Sequence, residues 1–127
     1  MPYVFLIDDD FDDQEFFSIA LKKLDLSNEC AYAKDGENGL SMIMSDENFQ
    51  PDYVFIDYNM PRMNGLQCLA EIRKMDRFRE TPVYIYSTTD NPATIEEAKK
   101  LGATGFIVKP SNLQVLVELL KVTLSKS

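Results

Sequence analysis

Four apolar runs in this 127-residue chain stop at residues that can do chemistry. "YVFLI" leads into Asp8 and Asp9, "YVFI" into Asp57, "VYIY" into Ser87, and "GFIV" into Lys109. If these runs are parallel strands of one sheet, three carboxylates, a hydroxyl and an ammonium gather at its carboxyl edge, where open α/β sheets bind their ligands. Two carboxylates about 4 Å apart repel by roughly 4 kcal/mol at an effective dielectric near 20, so three need cations to stay ionised together. Lys109 supplies one positive charge, and a hard divalent ion supplies two more. Mg²⁺ takes one or two carboxylates and keeps several waters, which leaves room for a phosphoryl oxygen. The chemistry these parts fit is phosphoryl transfer, in which the protein positions groups and neutralises developing charge. In it Asp57 attacks phosphorus and becomes an acyl phosphate. Asp8 and Asp9 hold the metal, and Ser87 and Lys109 bind the phosphoryl oxygens.

The elements that must position these residues are legible in the same runs. Tyr3–Ile7, Cys30–Ala33, Tyr53–Ile56, Val83–Tyr86 and Gly105–Val108 are apolar at consecutive positions, as in strands covered on both faces. Between them, apolar residues recur at helical spacing: Phe16, Phe17, Ala20, Leu21 and Leu24; Leu66, Leu69 and Ile72; Ile95, Ala98 and Leu101; Leu113, Leu116, Val117, Leu120 and Leu124. Asn64 is placed to cap the third helix and Gly102 to stop the fourth. The helix over Gly36–Ser45 has the weakest pattern, since Gly36 and Gly39 lower its propensity. Five rounds of strand then helix predict a doubly wound α/β domain with a parallel sheet and helices on both faces.

Composition excludes several alternatives. A net charge of −8 repels nucleic acid. No apolar stretch is long enough to span a membrane, and Asp8 interrupts the N-terminal run too early for a secretory signal. Two cysteines, Cys30 and Cys68, and no histidine exclude a thiolate zinc site and a His-dependent triad. Both thiols read as small core residues of a reduced, cytoplasmic protein.

With "LIDDD", "FIDYNMPRMNGLQCL", "YIYSTTD" and "GATGFIVKP" in this order and spacing, the chain resembles the receiver domain of bacterial two-component response regulators, close to the single-domain chemotaxis type. The resemblance covers essentially the whole chain, 1–127, as one receiver domain with no output domain. It implies a flavodoxin-like (βα)5 three-layer sandwich with strand order 2-1-3-4-5. It implies a phosphoacceptor at Asp57 and an acidic pair at Asp8 and Asp9. Asp9 and Asp57 would contact Mg²⁺ directly, Mn²⁺ or Ca²⁺ being able to substitute, with the backbone carbonyl of Asn59 as a third ligand; no organic cofactor is implied. Ser87 matches the switch hydroxyl, Lys109 the ammonium, and Phe106 the aromatic switch position. The Lys109–Pro110 bond is expected to be cis. The implied partners are a histidine kinase or histidine phosphotransfer protein and a downstream target protein of unknown identity, met through helix 4, strand 5 and helix 5. Onward transfer in a phosphorelay is the other outlet, and a monomer or weak homodimer is expected. The resemblance implies a phosphoacceptor that hydrolyses its own acyl phosphate, not a metabolic enzyme. Two residues depart from the family pattern: Phe106 lacks the hydroxyl of the frequent Tyr, and Thr88, where Ala is common, narrows access to Asp57 and predicts slower phosphoryl exchange.

Other readings compete at several residues. Asp10, Asp12 and Asp13 extend the metal site or, the stronger reading, begin helix 1, whose dipole favours acids there. The spacing Asp8-x-Asp10-x-Asp12 imitates a calcium loop, but Asp13 and Ile19 stand where that loop needs Gly and Glu. Val115, Leu119 and Val122 form a second apolar stripe on helix 5, either a wide core face or a partner patch. A haloacid-dehalogenase-like phosphatase shares the aspartyl phosphate, but its nucleophile would be Asp8. A non-phosphorylated interaction module is the remaining alternative.

Overall fold

The computed structural model describes residues 2–125. Five strands, β1 (Tyr3–Ile7), β2 (Glu29–Ala33), β3 (Tyr53–Asp57), β4 (Val83–Ser87) and β5 (Gly105–Val108), alternate with five helices. These are α1 (Phe11–Leu24), α2 (Gly36–Ser45), α3 (Gly65–Arg73), α4 (Pro92–Lys100) and α5 (Leu113–Leu124). All strand pairs are parallel, in the order β2-β1-β3-β4-β5. The strands β3 and β4 each run one residue beyond the predicted apolar run, so Asp57 and Ser87 are themselves their last residues.

Consecutive apolar residues in the strands are explained by their two faces. Phe5, Ile7, Val54, Ile56, Val83 and Ile85 pack with Ile43 of α2, Leu66, Leu69 and Ile72 of α3, and Ala98 of α4. Val4, Leu6, Phe55 and Tyr86 point the other way, onto Phe17, Ala20 and Leu21 of α1 and Leu116, Val117 and Leu120 of α5. This is the three-layer sandwich, with two cores separated by the sheet. The second core is aromatic: Phe17 lies edge-on to Phe55 at 5.1 Å and to Tyr86 at 5.6 Å between centroids, arrangements that favour rings beyond their area burial.

The helices begin where the sequence signals. Asn64 and Gln67 form a reciprocal capping box at α3. Asp10 caps α1 by accepting the N–H groups of Asp12 and Asp13, and Asn91 caps α4. The helix α2 forms despite its two glycines because Asp35 caps it and because Gly39 is needed for packing. A Cβ at Gly39 would lie 2.7 Å from Ile7 Cδ1, so glycine lets α2 approach β1. The cysteines fall in the cores or beside them: Cys68 is buried and Cys30 half-buried. Burial pushes both thiols up to about 12, which leaves them unreactive.

One expectation needs revision, and one of two open readings falls. The Lys109–Pro110 bond is trans, as are all peptide bonds among the described residues; trans is favoured before proline by about 0.5–1 kcal/mol, and Lys109 reaches its partners from it. The second stripe of α5 is not core: Val115 and Val122 are exposed and Leu119 half-buried.

Candidate functional site

The register of the sheet explains why the acids meet. Ile7 is level with Ile56 on the adjacent strands β1 and β3, so Asp8 and Asp57 leave the sheet edge side by side. This is also where the chain order reverses, the crevice expected to bind ligands. Asp9 follows on the loop to α1. Oxygen atoms of Asp8, Asp9 and Asp57 lie within 4.8 Å of one another. Lys109 arrives from β5, its N–H donating to the Ser87 carbonyl at 2.6 Å. Its Nζ lies 3.0 Å from Asp8 Oδ2, 3.2 Å from Asp57 Oδ1 and 2.7 Å from Asp13 Oδ2. The hollow beside Asp9, Asp13, Asp57 and Lys109 measures about 560 Å³ and is lined also by Asp10, Phe11, Asp12, Asn59 and Thr88.

Local structure fixes each carboxylate. Asp8 is fully buried; its Oδ1 accepts the Asp10 N–H at 2.9 Å and its Oδ2 accepts from Lys109. Asp57 is 4 % exposed and its Oδ1 accepts the Asn59 N–H at 3.4 Å. Just past the loop that follows, the Gly65 N–H donates to the Tyr58 carbonyl at 2.8 Å, folding α3 tightly against the end of β3. Arg62, at a φ of 65°, ties this loop to α2 by ion pairs of 2.8 Å to Asp35 and to Glu37.

Electrostatics follow from burial and crowding. Burial, then the neighbouring Asp8 charge, push the Asp57 carboxyl up to about 7, against the pull of Lys109. Burial also raises Asp8, opposed by the Asp10 N–H and Lys109. For Lys109, burial disfavours the charged form, but the Asp13 hydrogen bond and the charges of Asp8 and Asp57 outweigh it and raise its pKa. The metal-free folded protein therefore holds a proton on Asp57 that the unfolded chain releases between about pH 4 and 7. Stability should fall as pH rises through that window, by about 2 kcal/mol or more. Urea melts in the presence of a chelator measure this slope, and added Mg²⁺ should reduce it by competing with the proton.

The structure brings Asp8, Asp9, Asp57 and Lys109 together. Ser87 is buried at the end of β4, and its Oγ accepts the Thr89 N–H at 3.1 Å. Thr88, exposed, stands at the rim. Phe106 is half-buried and packs against the α2–α3–α4 core. Two residues escaped the sequence reading. Asp13, read as a helix starter, is also the nearest ion-pair partner of Lys109. Gln14 donates its amide N–H groups to the carbonyls of Asp8 at 2.8 Å and Ala33 at 3.2 Å, tying α1 to the ends of β1 and β2. Its position four residues after the cap Asp10 was the available signal.

The family model for the response regulator receiver domain matches residues 4–121. The chain belongs to the response regulator receiver family. The receiver is 36 % identical over 114 residues to the chemotaxis protein CheY of Pseudomonas aeruginosa, covering 89 % of each chain. It is 29 % identical to the transcriptional regulatory protein DegU of Brevibacillus brevis over 87 % of its own length, and it spans about half of DegU, 47 %. Among solved structures, the chemotaxis response regulator CheY4 of Vibrio cholerae superposes with a TM-score of 0.83 at 30 % identity, over 96 % of this receiver and 98 % of that chain. The family match gives no support to a haloacid-dehalogenase-like phosphatase. That reading requires Asp8 as nucleophile, and Asp8 is buried with both oxygens engaged.

Proposed function

We propose that this receiver is a cytoplasmic response regulator that accepts a phosphoryl group onto Asp57. The donor is the phosphohistidine of a histidine kinase or histidine phosphotransfer protein. The observation that supports this most is the convergence of Asp8, Asp9 and Asp57 within 4.8 Å beside the Lys109 ammonium. The match to CheY over 89 % of that protein's length supports a chemotaxis-type receiver, and no described helix is long and apolar enough to cross a membrane.

An Asp57 oxygen forms a bond to phosphorus while the donor's P–N bond breaks, and the electron pair leaves with the imidazole nitrogen. Lys109 is placed to bind phosphoryl oxygens. Ser87 would turn its hydroxyl from Thr89 toward the new group, and Phe106 would follow into the space vacated. An all-oxygen set of three carboxylates, one of them exposed at Asp9, fits a hard divalent ion. Asp8, Asp9 and Asp57, with the Asn59 carbonyl, are the residues that would hold Mg²⁺, which when bound neutralises charge on the transferring oxygens. Slow hydrolysis of the acyl phosphate would reset the receiver.

The output is partner binding on the α4–β5–α5 face, where Val108, Val115 and Val122 stand exposed, or onward transfer in a phosphorelay. The receiver would be a monomer or weak homodimer. Incubation with Mg²⁺ and acetyl phosphate, followed by intact mass measurement, is expected to show one phosphoryl adduct that a chelator prevents. No adduct with Mg²⁺ present would instead leave a non-phosphorylated interaction module.

A further inference from the structure

We propose that Asp13 is a positioning residue for Lys109: it holds the ammonium toward α1 and so weakens its hold on a phosphoryl group carried by Asp57. The inference rests on Asp57 being the acceptor. A lysine ammonium has three N–H donors and no acceptor. Lys109 Nζ has three carboxylate partners, Asp13 at 2.7 Å, Asp8 at 3.0 Å and Asp57 at 3.2 Å. The Tyr86 ring, its centroid 5.2 Å from Nζ, faces it as well. Two of the donors make hydrogen bonds, to Asp13 and to Asp8, while Asp57 is in ion-pair contact, and the shortest contact goes to α1, outside the strand ends.

A phosphoryl oxygen on Asp57 that draws Lys109 toward itself competes with these partners, and they are not equally replaceable. Asp8 is fully buried, and without Lys109 it would be a buried carboxylate lacking its cation. Asp57 carries the incoming group. The Asp13 side chain is 36 % exposed, so water can replace Lys109 there. Asp13 is the partner released. Because it lies in the first turn of α1, release also unfastens the start of that helix from the end of β5.

The test titrates the protein in Mg²⁺ with beryllofluoride, a stand-in for the phosphoryl group, and follows binding by ¹⁹F NMR. Asp13→Asn is expected to bind roughly threefold to fivefold more tightly, the range of one partly exposed ion pair. Asp13→Glu, which keeps a carboxylate in reach, should stay near the native value. In a Lys109→Met background, Asp13→Asn should change nothing, since coupled residues are not additive. A second readout needs no Lys109 variant: the Lys109 Nζ–H resonances of Asp13→Asn should start displaced toward their position in the beryllofluoride complex. Equal tightening in the Lys109→Met background would make Asp13 a background charge and overturn the proposal, as would unchanged or weaker binding by Asp13→Asn. Those outcomes leave Asp57 as acceptor. Failure of the native protein to bind beryllofluoride overturns both.

Discussion

Asp57→Asn is expected to take up no phosphoryl group from acetyl phosphate while, without divalent ions at about pH 8, unfolding at a higher urea concentration than the native chain. The first effect follows from the nucleophile: an amide lacks the anionic oxygen that attacks phosphorus. The second follows from crowding. Asp57 is buried beside Asp8, and its carboxyl is pushed up to about 7. Above that pH the folded metal-free protein ionises a group whose charge is costly where it stands. Asn keeps the shape and removes the charge, so a gain of about 2 kcal/mol is expected, together with loss of the falling slope between about pH 4 and 7. A variant less stable than the native protein at high pH would show that Lys109 overcompensates the crowding.

Gly65→Ala is expected to cost about 3 kcal/mol or more and to weaken Mg²⁺ binding with it. A Cβ there would lie 2.5 Å from the Asp57 carbonyl oxygen and 2.8 Å from Tyr58 Cα. Both are backbone atoms, so no side chain can swing aside to relieve the contact. Either α3 retreats, or the end of β3 moves and carries Asp57 with it. The Gly65–Tyr58 hydrogen bond joins the start of α3 to the end of β3, so either movement disturbs the segment that carries Asp57. Urea unfolding and Mg²⁺ titration measure the two effects. A loss below about 1 kcal/mol would mean that the approach of α3 to β3 relaxes freely.

The sheet and its functional edge were readable because consecutive apolar residues, strand-end acids and helix caps are each local signals. Asp57 and Ser87 end strands and Asp8 and Lys109 directly follow them, so knowing the strands was enough to place all four at one sheet edge. Other features depend on long-range geometry and left weaker marks. Asp13 looks like any acid in a first helical turn, and only the approach of Lys109, 96 positions later, gives it a second role. Ser87 was placed at the correct strand end, but whether its hydroxyl faces the hollow depends on the Thr89 N–H that engages it. The second stripe of α5 could not be resolved by periodicity, because a helical pattern shows which residues share a face but not what covers that face. The isomer of the Lys109–Pro110 bond likewise has no local signature, since either isomer is accessible before proline.

Among all these tests, the location of the acyl phosphate bears most directly on the convergence of strand ends. The protein is loaded with acetyl phosphate in Mg²⁺, the mixed anhydride is reduced with borohydride to leave homoserine in place of the aspartate, and the peptides are sequenced by mass spectrometry. Homoserine at position 57 alone is the expected result. Homoserine at position 8 or 9, or a phosphoryl group resting on a hydroxyl side chain, would contradict it.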